Sequence, residues 1–147
     1  MSEDRAIADD EMADLADTIL MIAKKLALRG QDQRVIVPLT GTEVQVVREV
    51  ERHPRSTPTE IAAATGLRRS NVSAAIRTLE AQGMVTRVQA ADDARSVELI
   101  ATDFAVENME RIRALWVSRL RAVPEADLAA ATAALGALQA VERHLAH

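Results

Sequence analysis

Seven residues between positions 68 and 77 carry side-chain chemistry that suits contact with DNA bases. Arginine bonds guanine through two N–H groups, asparagine can bond adenine in two places, and small hydroxyl side chains let a helix approach base edges closely. If this segment is a helix, Val72, Ile76 and Leu79 share an inward face, and the opposite face is polar or small. The predicted DNA-contacting residues are Arg68, Arg69, Ser70, Asn71, Ser73, Ala74 and Arg77.

The two ends of this predicted helix would have different roles. A helix amino end attracts phosphate, so Arg68 and Arg69 are expected to contact the DNA backbone, whereas Arg77 lies far enough along the helix to reach a base edge. For one helix taken alone, an ordinary solvated polar face is an equally good interpretation. The predicted elements on either side of this helix are therefore needed to distinguish a DNA-contacting face from a solvated one.

A second basic feature is Arg95, in the polar loop of residues 90–95. A guanidinium near the tip of such a loop can enter a minor groove, where negative potential is concentrated. We expect Asp93 to support the loop by orienting Arg95. The alternative is a surface arginine that pairs with Asp92 or Asp93, and the two interpretations are compatible.

Helical periodicity begins near the start of the chain, over residues 9–29, and Gly30 is expected to end this helix. Thr40 and Glu43 then have capping-box spacing, which predicts a second helix that ends at 53–54. Its inward residues would be Val44, Val47 and Val50. The apolar stripe of the first helix consists of Met12, Leu15, Ala16, Ile19, Leu20, Ile22, Ala23 and Leu26.

The region that follows has the pattern of a helix-turn-helix. Thr57 and Glu60 form another capping box, with proline at the first helical position, and predict a short third helix over 58–64. Residues 65–67 contain a glycine and break it. A fourth helix is predicted from about Arg68 to Gln82, with glycine as the residue after its end.

After this fourth helix the periodicity changes from helical to alternating. Residues 84–88 and 96–100 are predicted strands of a hairpin, the wing of a winged helix. Thr102 is expected to cap a long helix that carries Phe104, Met109, Ile112, Leu115, Trp116 and Leu120. Pro124 introduces one last helix with a pairing seam of Leu128, Ala131, Leu135, Leu138, Val141 and Leu145.

Composition predicts one domain over residues 1–147, because 48% of the residues are hydrophobic and can form a core. The net charge of −4 argues weakly against nucleic acid, but seven acids against one base in residues 1–20 account for −6 of it. The chain has no cysteine and no unbroken apolar stretch long enough to cross a membrane. We therefore expect a cytoplasmic protein without a membrane partner.

Enzyme chemistry finds little support in the sequence. His53, His144 and His147 are scattered, and there is no phosphate loop or nucleophile elbow. His144 and His147 lie three apart and could share a metal, but two terminal histidines are more often exposed to solvent. The sequence predicts no catalytic residue, no metal site and no cofactor.

In this arrangement the chain resembles the MarR (multiple antibiotic resistance regulator) family over almost its whole length. The resemblance rests on five short segments in the same order. They are Leu39-Thr40, Thr59-Glu60-Ile61-Ala62, Asn71-Val72-Ser73, Leu79-Glu80-Ala81-Gln82-Gly83-Met84-Val85 and Asp93-Ala94-Arg95.

The resemblance implies a triangular homodimer that represses genes, and that is often released from DNA by a small, frequently aromatic, anionic ligand. Two departures stand out: Ala74 and Thr78 occupy places where relatives commonly have a basic residue, and Arg68 replaces a small polar cap. Phosphate contacts are therefore expected to be fewer, or shifted to Arg68 and Arg69. With one phenylalanine, one tryptophan and no tyrosine, an aromatic ligand cage would need Trp116 or Phe104, and apolar side chains at helical spacing usually belong to a core or a dimer seam.

Together these observations predict a mainly α fold with a small β-hairpin wing, in which residues 40–102 form a winged helix-turn-helix. Residues 9–29 and 103–147 are predicted dimerisation helices, because their apolar stripes exceed what the winged helix can cover. The predicted function is a transcription regulator that binds a palindromic operator in double-stranded DNA as a homodimer. A winged-helix scaffold that binds only protein is the alternative, and the sequence does not specify an effector, an operator or target genes.

Overall fold

The computed structural model describes residues 7–91 and 96–145. The wing residues Asp93 and Arg95 lie outside these ranges, as does His147. The chain divides between Arg34 and Val35 into two compact units.

The first unit contains helix α1, Asp9–Leu26, and a single turn of 3-10 helix, Asp32–Arg34. Helix α1 ends three residues before the predicted boundary at 29. A turn replaces its last residues, because the Arg29 N–H donates to Asp32 Oδ2 at 2.7 Å and the Asp32 N–H donates back to the Arg29 carbonyl. None of the residues of α1 is buried.

In the second unit, helix α2 spans Gly41–Arg52 and helix α3 spans Pro58–Thr65. Both predicted capping boxes are confirmed. Thr40 Oγ1 accepts the Glu43 N–H at 3.2 Å while Glu43 Oε2 accepts the Thr40 N–H at 2.7 Å, and the same exchange joins Thr57 to Glu60. Helix α3 ends at Gly66, whose φ of 71° is the left-handed conformation that favours glycine.

Helix α4 spans Arg69–Ala81, and Gly83 follows it with φ 72°, as predicted for the residue after a helix end. Strands β1 (Val85–Gln89) and β2 (Val97–Ala101) then pair antiparallel, with Arg87 opposite Leu99. Each strand lies one residue later than predicted. The wing is defined here as residues 85–101.

The core of the second unit lies between α2, α3, α4, the base of the wing and the first half of helix α5, Asp103–Leu120. Thr102 caps α5 as predicted, since its Oγ1 accepts the Ala105 N–H at 3.1 Å. The side chains buried most completely include Val46, Val47, Val50, Ile61, Val72, Ile76, Leu79, Met84, Leu99 and Ile112.

One polar side chain, Asn108, is fully buried in this core. Its Oδ1 accepts the Val37 N–H at 2.8 Å and its Nδ2 donates to the Val37 carbonyl at 3.0 Å. The amide therefore pairs with the backbone of Val37 much as a neighbouring strand would. This contact fixes the segment before α2 against α5.

The single last helix predicted after Pro124 is wrong in detail. The structure has two helices, α6 (Glu125–Ala133) and α7 (Leu135–His144), separated at Ala134. The Thr132 hydroxyl donates to the Leu128 carbonyl at 2.7 Å, a contact that often bends helices, and glycine at position 136 weakens the next turn. Neither α6 nor α7 has a buried residue.

Candidate nucleic-acid interface

Helix α4 has the two faces that its sequence predicts. Val72, Ile76 and Leu79 are at most 1% exposed and Ala75 is also buried, so this face packs into the core. Whereas Arg95 lies outside the described residues, the residues predicted to contact DNA from this segment lie exposed on or beside the other face. They are Arg68, Arg69, Ser70, Asn71, Ser73, Ala74 and Arg77.

The amino end of α4 has no side-chain cap. Arg68 is the N-cap residue, with extended backbone, and its side chain makes no capping hydrogen bond. Its carbonyl accepts the N–H groups of Asn71 and Val72, while its guanidinium is exposed at the same end. Positive charge thus adjoins helical N–H groups, an arrangement that suits a phosphate.

Arg68 and the arginines of α4 differ from Arg55 and Arg87 in having no carboxylate partner among the described residues. Arg87 Nε lies 2.8 Å from Glu80 Oε1, and Arg55 Nε lies 2.7 Å from Glu98 Oε2. Within the ranges 7–91 and 96–145, by contrast, Arg68, Arg69 and Arg77 form no ion pair within 4 Å. No carboxylate of the described residues therefore compensates their positive charge.

Helix α3 positions α4 through a tight local network. The Thr57 hydroxyl and backbone N–H both bond Glu60 Oε2, and these hydrogen bonds lower the pKa of the Glu60 carboxyl below its ordinary value. The Thr65 hydroxyl donates to the Ile61 carbonyl at 2.6 Å, just before the left-handed glycine. Thr57 and Glu60 thus fix the start of α3, and Thr65 bonds at the turn that leads to α4.

The turn before α3 holds a residue that sequence reasoning did not single out. Arg55 contacts both strands of the wing, through Glu98 and through the carbonyl of Gln89. Nothing in the residue types indicated this, because an arginine after a proline in a turn is ordinarily a solvated side chain. Asn108 was missed for a similar reason, since its type alone does not distinguish a buried amide from an exposed one.

A groove of about 530 Å³ lies between the end of α2, strand β2 and helix α5. Val50, Ile100 and Met109 contribute apolar surface, and Glu51 lines it with a pKa that burial raises against the lowering effect of Arg48 and other arginines. Trp116 and Phe104 are not among its lining residues. Trp116 instead lies under the Arg48 guanidinium, 5.9 Å from the ring centroid.

The described residues offer no other obvious centre for chemistry. No group of three histidine, aspartate or glutamate side chains in the described ranges could hold a metal. His144 Nδ1 lies 2.7 Å from the Ala140 carbonyl of its own helix. No helix in the part of the chain that the structure describes is long and apolar enough to cross a membrane.

Residues 37–96 match the sequence model of the MarR family. No curated protein sequence matches the chain. Solved structures with this fold include the YusO protein from Bacillus subtilis, with a TM-score of 0.63 and 20% identity over 91% of this chain and 98% of that one. A mutant of MarR from E. coli complexed with operator DNA gives a TM-score of 0.64 with 16% identity, and covers 90% of this chain and 99% of that one.

A third solved structure is the PcaV transcriptional regulator from Streptomyces coelicolor, in complex with its natural ligand. Its TM-score is 0.60 with 15% identity over 95% of this chain and 96% of PcaV. At such identities the likeness concerns the fold. It confirms the predicted architecture, a mainly α winged helix-turn-helix with a two-stranded wing.

Proposed function

We propose that this chain is a transcription regulator of the MarR family that binds operator DNA as a homodimer. Residues 37–96 match the sequence model of that family, and the fold is that of its solved structures. The observation that supports DNA binding most is the exposed face of α4, where Arg68, Arg69 and Arg77 have no carboxylate partner among the described residues. The related MarR structure was solved with operator DNA.

In this proposal, different side chains contact the phosphates and the bases. Arg68 and Arg69 bind phosphates at the amino end of α4, and Arg77 reads a base edge with Asn71 and the small residues Ser70, Ser73 and Ala74 beside it. Arg95 enters the minor groove from the wing and Asp93 orients it. With α4 in the major groove, the wing lies over the adjacent minor groove.

Homodimerisation would come from residues 9–29 and 103–147. A twofold dimer binds two half-sites about one helical turn apart, roughly 10 base pairs, so the operator is an imperfect palindrome. We further propose that the protein represses its target genes in the cytoplasm. Release by a small-molecule effector belongs to the same proposal, since the related PcaV structure contains its natural ligand.

The test begins with duplexes selected from a random-sequence pool by the wild-type protein. Arg77→Ala should weaken binding to the best selected duplex by about 1 to 3 kcal/mol and flatten preference at one or two positions. Arg68→Ala and Arg69→Ala should weaken all duplexes alike and reduce the salt slope by about one per lost contact. Arg95→Ala should matter most where the flanks are rich in A·T pairs.

Thr59→Ala is a matched control, because Thr59 is exposed on the neighbouring helix. Melting curves should show all four arginine variants folded. Wild-type affinity in every arginine variant would contradict DNA reading. The winged-helix protein scaffold, whose binding scarcely responds to salt, would then be the better account.

A further inference from the structure

We propose that Arg55 is a positioning residue for the wing, holding both of its strands against the turn between α2 and α3. The inference rests on the proposed function, in which the wing contacts DNA. It adds a residue that does not itself lie on the α4 face or in the wing.

The backbone of Arg55 joins the turn to the sheet. Its N–H donates to the Leu99 carbonyl at 2.9 Å, and the Leu99 N–H donates to the Ser56 carbonyl at 3.0 Å. Ser56 thus forms an isolated antiparallel bridge with Leu99. The turn is thus joined to strand β2 by a single antiparallel bridge.

The side chain of Arg55 reaches both wing strands. Its Nε lies 2.7 Å from Glu98 Oε2 on β2, and its Nη2 donates to the Gln89 carbonyl on β1 at 3.5 Å. Glu98 Oε2 is buried, and apart from this ion pair it has no hydrogen-bond partner among the described residues. The Arg55 guanidinium is therefore the charge that compensates this buried carboxylate oxygen, and its loss would leave the carboxylate uncompensated.

Arg55 holds this position against a backbone preference. Its φ of 71° is the one positive value of a non-glycine residue in the described ranges. Left-handed backbone is unfavourable for a residue with a β-carbon and persists where the surroundings fix it. An arginine here, rather than glycine, indicates that its side chain contributes something that glycine cannot.

The geometry gives the contact a consequence for the wing. Gln89 is the last residue of β1 and Glu98 is the second residue of β2, so both lie close to the loop. Holding these two residues fixes where the loop leaves the sheet. The same turn leads directly into the capped start of α3. It therefore holds the wing in a fixed position relative to the helix-turn-helix.

The first measurement needs no DNA. Arg55→Met removes the ion pair but keeps the backbone strain, Arg55→Gly removes both, and Arg121→Met deletes an exposed arginine at the end of α5 as a control. Amide hydrogen exchange in residues 85–89 and 97–101 should be about tenfold faster in Arg55→Met than in wild type and Arg121→Met. Arg55→Gly should lie between them. Exchange at the wild-type rate in Arg55→Met would overturn the proposal.

The second measurement uses a duplex selected by the wild-type protein. Arg55→Met should weaken binding about threefold to tenfold, and the loss should disappear in an Arg95→Ala background, because both substitutions remove the same wing contact. A loss that is equally large in that background would overturn the positioning role. Failure of the wild type to select any duplex would contradict the proposed function, whereas the exchange rates would still decide whether Arg55 holds the wing.

Discussion

The winged helix and the terminal helices bury their apolar residues very differently. Every buried residue of the described chain lies between Ile36 and Ile112, whereas α1, α6 and α7 have none. Yet these helices are not polar: Leu20, Leu135 and Val141 are all at least 40% exposed. Apolar stripes at helical spacing without a covering surface are typical of helices that pair with another chain.

The comparison predicts that the winged helix and the terminal helices are stabilised by different contacts. The winged helix has its own core and should resist unfolding through packing within the chain. The terminal helices should depend on a second copy, which makes their burial depend on protein concentration. The following predictions test that separation, from the largest expected effect to the smallest.

Leu79→Ala should lower the free energy of unfolding by about 2 to 5 kcal/mol, because it leaves a cavity in the core of the winged helix. Leu79 is fully buried at the centre of the inward face of α4. Urea denaturation measures the loss, and Leu79→Met is the matched control, expected to cost less than about 1.5 kcal/mol. A loss below about 1 kcal/mol for the alanine variant would mean that α4 is not packed as described.

Leu138→Glu should weaken the dimer at least about 100-fold, equivalent to about 2.7 kcal/mol, because it places a charge in the predicted seam. Sedimentation velocity over a range of concentrations gives the dissociation constant. Gln139→Glu adds the same charge beside the seam and should have a much smaller effect. If both variants have the same dissociation constant, the seam does not hold the dimer together.

Thr57→Ala should lower the free energy of unfolding by about 1 kcal/mol, since it removes the cap of α3. Thr59→Ala, an exposed threonine two positions into the same helix, should be close to neutral. Thermal or urea unfolding compares the two. If both substitutions lower the free energy of unfolding by the same amount, the capping hydrogen bonds are not the cause of the loss in Thr57→Ala.

The smallest effect concerns the pH dependence of that cap. Hydrogen bonds from Thr57 lower the pKa of Glu60, so their stabilisation is present above the ordinary value of 4.5 and is lost as pH falls through the lowered pKa. The stability difference between wild type and Thr57→Ala should therefore shrink in acid. An NMR titration of the Glu60 carboxyl should show its pKa rising in Thr57→Ala, and an unchanged pKa would contradict the assignment.

Local signals made much of the winged helix predictable. Thr40, Thr57 and Thr102 satisfy helix amides within three residues in the chain, and Gly66 and Gly83 adopt the backbone that glycine favours. Such interactions depend on neighbours in sequence, so the sequence alone can reveal them. The exposed face of α4 follows from its inward face, because a helix has one periodicity for both.

Interactions between distant residues were not predictable in the same way. Asn108 pairs with Val37 across 71 positions, and Arg55 reaches Glu98 across the whole helix-turn-helix. Residue type gives no sign of either partner. The break at Ala134 was missed because alanine-rich sequence favours one continuous helix, and a threonine hydroxyl and a glycine change that preference only locally.

Thr102 has one further consequence, which concerns evolution. While it caps α5, its Oγ1 donates to the Gly83 carbonyl at 2.6 Å and its N–H donates to the Met84 carbonyl at 2.9 Å. These two hydrogen bonds close the hairpin at its base. Doubling the length of a closed loop costs only about 0.6 kcal/mol, so insertions and deletions between the two strands can accumulate across generations while α4 and α5 keep their places.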